Sequence, residues 1–145
     1  MATYERNPAL EELAVLEGEW EMRSREFPDA QGTAGFEWLE GGAFLVEHQG
    51  VPGSGATWIF GSDDPSKGQT VLYYDTRSAT RVYHSTLHDG TWTVWRDAPG
   101  FSQRFTGHID EGGNVIQGAW ESAGDGVSWK HDFDLTYRRV RGRTA

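Results

Sequence analysis

Along most of this chain apolar and polar residues alternate with a period of two, the spacing of strands that turn one face to a core and the other to water. The exception comes first. After Pro8, the residues Leu10, Leu13 and Leu16 recur every three positions, with Glu11, Glu12 and Glu17 on the other side. That spacing predicts a short amphipathic helix over about 9–17, entered at Pro8 and stopped at Gly18. Its single apolar stripe must lie on something larger, and the end of a barrel is the economical place.

Period-two patterning then predicts strands over 19–26, 34–39, 43–50, 56–61, 69–75, 80–88, 91–97, 102–109, 115–122 and 127–139. The separators carry turn chemistry: Pro28-Asp29, Gly41-Gly42, Pro52-Gly53-Ser54-Gly55, Asp63-Asp64-Pro65, Asp89-Gly90, Pro99-Gly100, Gly112-Gly113 and Gly124-Asp125-Gly126. Asp89-Gly90 is the strongest hairpin signal. About ten short strands with short connections predict an all-β fold, an antiparallel up-and-down barrel over 19–139. The whole of 1–145 reads as one domain with a basic tail over 140–145. Closure removes the exposed edges that invite aggregation. Eight strands enclose room for packed side chains or one small ligand, so about ten should leave more.

The alternation also assigns faces. Near the start, Glu19, Glu21, Arg23 and Arg25 face water while Trp20, Met22 and Ser24 face in. In the last strand Lys130, Asp132, Asp134, Thr136 and Arg138 face out, and Trp129, His131, Phe133, Leu135 and Tyr137 face in. The same rule sends Phe36, Trp38, Phe44, Val46, Trp58 and Phe60 inward, and with them Trp92, Val94, Phe101, Phe105, Ile116, Gly118 and Trp120. These side chains make either a packed core or a slot lined by rings, the usual make-up of a small-molecule pocket. Seven Trp, an aromatic share of 13% and 19 Gly fit both.

Charge narrows the partners. Lys plus Arg is 13 and Asp plus Glu is 22, a formal net charge of −9 that repels nucleic-acid backbones and anionic membranes. Arg138, Arg139, Arg141 and Arg143 read as a solvated end. With no cysteine, disulfides, thiolate metal sites and cysteine nucleophiles are excluded. The first residues lack the apolar stretch of a signal peptide, and no run reaches the ~18–20 residues that cross a bilayer, so the expected location is cytoplasmic.

Histidine spacing gives little support to metal. His84 and His88, four apart on a strand, are separated by roughly 13 Å and cannot share an ion. His48 is free to meet His84 or His131 in space, and His108 is expected to be exposed. His131, flanked two residues away by Trp129 and Phe133, is expected on an apolar inward wall, either as a satisfied core histidine or as a ligand-contacting donor. No hydrolase elbow, P-loop or dinucleotide fingerprint occurs, since the glycines sit in turns between strands.

At its two ends the sequence resembles the nitrobindin-like, lipocalin-related (calycin) barrels. The resemblance is carried by Leu10-x-x-Leu13-x-x-Leu16-x-Gly18-x-Trp20 followed by Phe27-Pro28, and by the closing run from His131 to Arg138. It implies a barrel with a short leading helix and makes His131 the axial-ligand candidate for ferric haem. Met22 and Ser24 stand where nitrobindins have close-approach glycines. The middle of the chain, with Phe36 to Leu45 and Tyr74-Asp75, is more similar to an uncharacterised bacterial lipocalin-like group, which implies a fold and no ligand.

The expected function is therefore binding of a small hydrophobic or aromatic molecule by Trp20, Met22, Trp38, Phe44, Trp92, Phe105, Trp120, Trp129 and His131, with no cofactor. One alternative is haem held by His131. Another is a small barrel enzyme using His131 or His84 as general base beside Tyr73 or Asp75, which share a phase. A homodimer through an outward patch of Leu39, Leu45 and Ile59 is compatible with each.

Overall fold

The computed structural model describes residues 5–142, and these close ten antiparallel strands into one barrel. The strands are β1 (Gly18–Arg23), β2 (Gly32–Leu39), β3 (Phe44–Val51), β4 (Ser54–Gly61), β5 (Gln69–Asp75), β6 (Thr80–His88), β7 (Thr91–Arg96), β8 (Ser102–Ile109), β9 (Val115–Ala123) and β10 (Lys130–Arg141). They follow one another round the barrel in chain order, and β1 pairs with both β2 and β10. The expected architecture therefore stands. Expected and observed bounds coincide for β5, β6 and β8. The β3–β4 connection is tighter than its four turn-forming residues implied, because Gly53 at φ 79 completes the turn and leaves Ser54 and Gly55 in the ladder.

The leading helix is a 3₁₀ helix, Pro8–Leu16, with the Asn7 side chain accepting the Ala9 N–H at 3.0 Å. Its geometry answers the three-residue leucine spacing, since three residues make one 3₁₀ turn and Leu10, Leu13 and Leu16 line up on one edge. All three are fully buried in the core that fills this end of the barrel. Around them pack Trp20, Phe36, Phe60, Trp92, Phe105 and Tyr137.

Phe105 needs two neighbours without side chains. Gly107 and Gly118 face each other across β8 and β9, and a Cβ at Gly118 would lie 2.5 Å from two atoms of the Phe105 ring. Gly118→Ala is expected to lower unfolding free energy by about 1–3 kcal/mol through overpacking. Urea denaturation measures it, and an unchanged midpoint would mean that the ring has room to withdraw.

Two strands depart from the expected phase. On β3 the inward residues are Leu45, Glu47 and Gln49, which pair with the inward Trp38, Phe36 and Ala34 of β2. Phe44 is exposed on the outside and Val46 shares its phase. Both phases of this strand contain bulky apolar residues, so alternation alone did not discriminate. Leu45 is consequently core, not part of an outward patch; the apolar row on the outward phase is Val46, which is itself buried, followed by Ile59, Leu72 and Val82. On β10 a register shift lies between His131 and Phe133, which pair with the adjacent β9 residues Glu121 and Trp120. Asp132 is the extra residue of a bulge, and the bulge reverses the phase before it. Phe133, Leu135 and Tyr137 keep the inward phase, whereas Trp129 and His131 do not.

Candidate functional site

The 3₁₀ helix precedes β1 and closes one end of the barrel; the β1–β2, β3–β4, β5–β6, β7–β8 and β9–β10 connections surround the other. At that second end lies a cavity of about 330 Å³, within the range of small-molecule sites. Trp58 from β4, Tyr73 from β5, Tyr83 from β6 and Trp120 from β9 form its aromatic wall. Trp58 is the hub, with ring centroids 4.5 Å from Tyr73, 4.9 Å from Tyr83 and 6.1 Å from Trp120. Met22, Phe133 and Leu135 complete the apolar lining.

The polar groups at this mouth are held by short contacts. Tyr83 donates its hydroxyl to Gln103 Oε1 at 2.7 Å, and Tyr73 donates to Asp75 Oδ2 at 2.6 Å. Arg77 grips the same carboxylate at 2.6 Å, and that pairing holds Asp75 well below the usual carboxylate range. Burial, reinforced by the Asp75 carboxylate, pushes the Tyr73 hydroxyl up to about 12. Arg81, directly opposite Tyr73 in the β5–β6 ladder, lays its guanidinium 5.7 Å from the ring centres of Tyr73 and Phe101. The indole N–H of Trp58 is buried with no hydrogen-bond partner among the described residues.

Gln49 connects this cavity to the interior. It lines the cavity and donates to Glu47 Oε2 at 2.7 Å; Tyr137 donates to the same oxygen at 3.4 Å. Glu47 is only 1% exposed, and burial pushes its carboxyl up to about 8, so it is protonated at neutral pH. A void of about 10 Å³ beside Glu47, Trp92, Phe105 and Tyr137 has room for about one water.

The expected site residues separate into three groups. Met22 and Trp120 line the cavity. Trp20, Trp92 and Phe105 are buried in the packed core, and Trp38 packs against it beneath the Arg6 guanidinium, 5.2 Å from the ring centre. Phe44, Trp129 and His131 lie outside, contrary to the inward phase expected of them. Arg104 stacks 4.1 Å above Trp129 while pairing with Glu121 at 2.8 Å. His131 Nε2 stands 3.2 Å from Glu26 Oε2 and 3.5 Å from Asp134 Oδ1. Glu26 also accepts the Asp134 N–H at 2.8 Å, which drives its carboxyl down to about 2 and anchors the chain beyond β1 to the bulge.

Glu26, His131 and Asp134 bring their ligand atoms within 4.8 Å of one another. Arg25 pairs with Asp134, so the cluster is a surface ion-pair network with its own counter-charge. The residues do not fit haem in the barrel. All five histidines face solvent, and the space behind the aromatic wall is filled by Trp92 and Phe105. His84 is likewise outside, stacked on Trp95 with ring centres 5.6 Å apart, so neither expected general base meets the Tyr73–Asp75 pair.

Sequence reasoning missed Glu47, Gln49, Arg81, Tyr83 and Gln103. The available signal was the β5–β6 hairpin, in which the inward Tyr73 forces Arg81 and Tyr83 inward too.

No protein-family model and no curated protein matches the chain. Among solved structures, the chain is similar to the crystal structure of Rv2717c from M. tuberculosis, with a TM-score of 0.66 at 14% identity. The match covers 94% of this chain and 100% of that one, and it supports the barrel fold. No helix among the described residues is long and apolar enough to cross a membrane.

Proposed function

We propose that the barrel binds a small aromatic or apolar molecule in the cavity at its open end. The observation that carries this reading is the aromatic wall of Trp58, Tyr73, Tyr83 and Trp120 around about 330 Å³. A closed core of the same residues would leave no volume between the rings.

Titration with a neutral naphthalene probe, following tryptophan emission, tests the reading. Saturable quenching is expected, and Trp120→Ala should weaken binding about tenfold, or ~1.4 kcal/mol, by removing one ring face. Emission that stays unchanged up to the solubility limit with this probe and with its acidic analogue alike would rule the cavity out as a binding site.

A further inference from the structure

We propose that this cavity takes a flat organic anion, its ring against Trp58, Tyr83 and Trp120 and its acid group at the mouth on Arg81. This rests on the binding function proposed above and names the ligand class.

The argument starts from an imbalance. The chain has 22 acidic residues against 13 basic ones, yet the cavity lining contains Arg23 and Arg81 and no Asp or Glu. Asp75, which touches the lining residue Tyr73, is already consumed. It accepts from Tyr73, from the Arg77 side chain, and from the backbone N–H groups of Arg77 and Ala79 at 2.9 and 3.2 Å. Arg81 has no carboxylate partner among the described residues. Two aromatic faces and the Tyr83 hydroxyl hold its guanidinium in place, and this arrangement orients the group while leaving further N–H groups of the planar fork for an acceptor.

The other polar groups have the same sense. Gln103 spends its carbonyl on the Tyr83 hydroxyl, so its amide N–H₂ remains to donate. Arg96 stands opposite Gln103 in the β7–β8 ladder on the inward phase and adds a further positive charge near the mouth. A site of donors and cations over an aromatic slot recognises a planar body bearing a carboxylate, sulfonate or phosphate. The net charge of −9 opposes such a ligand at long range, but exposed charges beyond ~8–10 Å are screened at physiological salt. The local guanidinium therefore decides.

Two probes that share a scaffold isolate the acid group: 8-anilinonaphthalene-1-sulfonate and its uncharged counterpart N-phenyl-1-naphthylamine. The wild type is expected to bind the sulfonate at least about tenfold more tightly, with the preference shrinking as salt rises. Arg81→Gln should bring the two affinities within about threefold of each other, and Arg81→Lys, which keeps the charge, should retain part of the preference. Equal affinities in the wild type, or a preference that is insensitive to salt or survives Arg81→Gln, would overturn the anion assignment while leaving the cavity as a neutral site. Binding of neither probe would overturn the cavity reading as well.

Discussion

Glu47→Gln is expected to match the wild type in stability at pH 5 and to exceed it clearly at pH 9. Buried Glu47 has a folded-state pKa raised to about 8, against a value near 4.5 when exposed. A group raised in the folded state contributes stability that is present in full below the unfolded pKa and is lost as pH rises through the folded one. The window runs from about 4.5 to about 8. Across it the wild type should lose stability on the order of a few kcal/mol from this group alone. Glutamine keeps an acceptor for Gln49 and Tyr137 and has no charge to form, so the variant's profile should be flat over that range as far as this position is concerned. Urea midpoints measured from pH 5 to pH 9 give the comparison. Parallel profiles would mean that Glu47 ionises freely, with water reaching it through the void beside Tyr137.

The same residue explains why the interior was harder to read than the fold. Turn chemistry and period-two alternation are local, so strands such as β5, β6 and β8, bounded by clear turns, were legible to the residue. Facing is also local where one phase is charged, as in β1, where Glu19, Glu21 and Arg23 leave no choice. On β3 the phase containing Phe44 and Val46 competes with the one containing Leu45, Glu47 and Gln49, and the more apolar set won by composition. The structure reverses that, because Leu45 must sit opposite Trp38 and Phe60 inside the barrel. Glu47 follows it in and survives burial by staying protonated and hydrogen-bonded.

The outward position of His131 escapes the local pattern for a different reason. Its phase depends on one bulge at Asp132, and the partners that stabilise that bulge come from Glu26, 105 residues earlier. No window of strand length contains both. The cavity has the same origin, since its lining is drawn from every strand but β7 and only the closed barrel brings them together. Arg81 shows the cost of reading charge as exposure: its polarity argues for the outside, while its register opposite Tyr73 puts it at the mouth.

Arg139→Ala is expected to destabilise the fold by about 2–4 kcal/mol, although the residue belongs to a run of arginines that reads as a solvated end. A second register shift, between Glu19 and Trp20, leaves Val140 exposed and sets Arg139 opposite Trp20, turning its side chain toward the helix-closed end. There its guanidinium lies 4.1 Å above the Trp20 ring and donates to the carbonyls of Val15, Glu17 and Gly113. The first two are at the end of the 3₁₀ helix, where backbone carbonyls lack partners and favour a cation. Trp20 in turn donates its indole N–H to Leu16 at 2.9 Å, so one cation and one ring together tie helix, β1, β10 and the β8–β9 connection. Alanine would leave three carbonyls without that donor and uncover the Trp20 face. Arg139→Lys should recover less than half of the loss, because an ammonium keeps the charge but cannot span three acceptors as a planar fork does. Chemical denaturation of the two variants beside wild type measures both effects, with near-ultraviolet circular dichroism reporting the Trp20 environment. A loss below about 0.5 kcal/mol for Arg139→Ala would mean that Leu10, Leu13 and Leu16 hold the helix in the barrel end unaided.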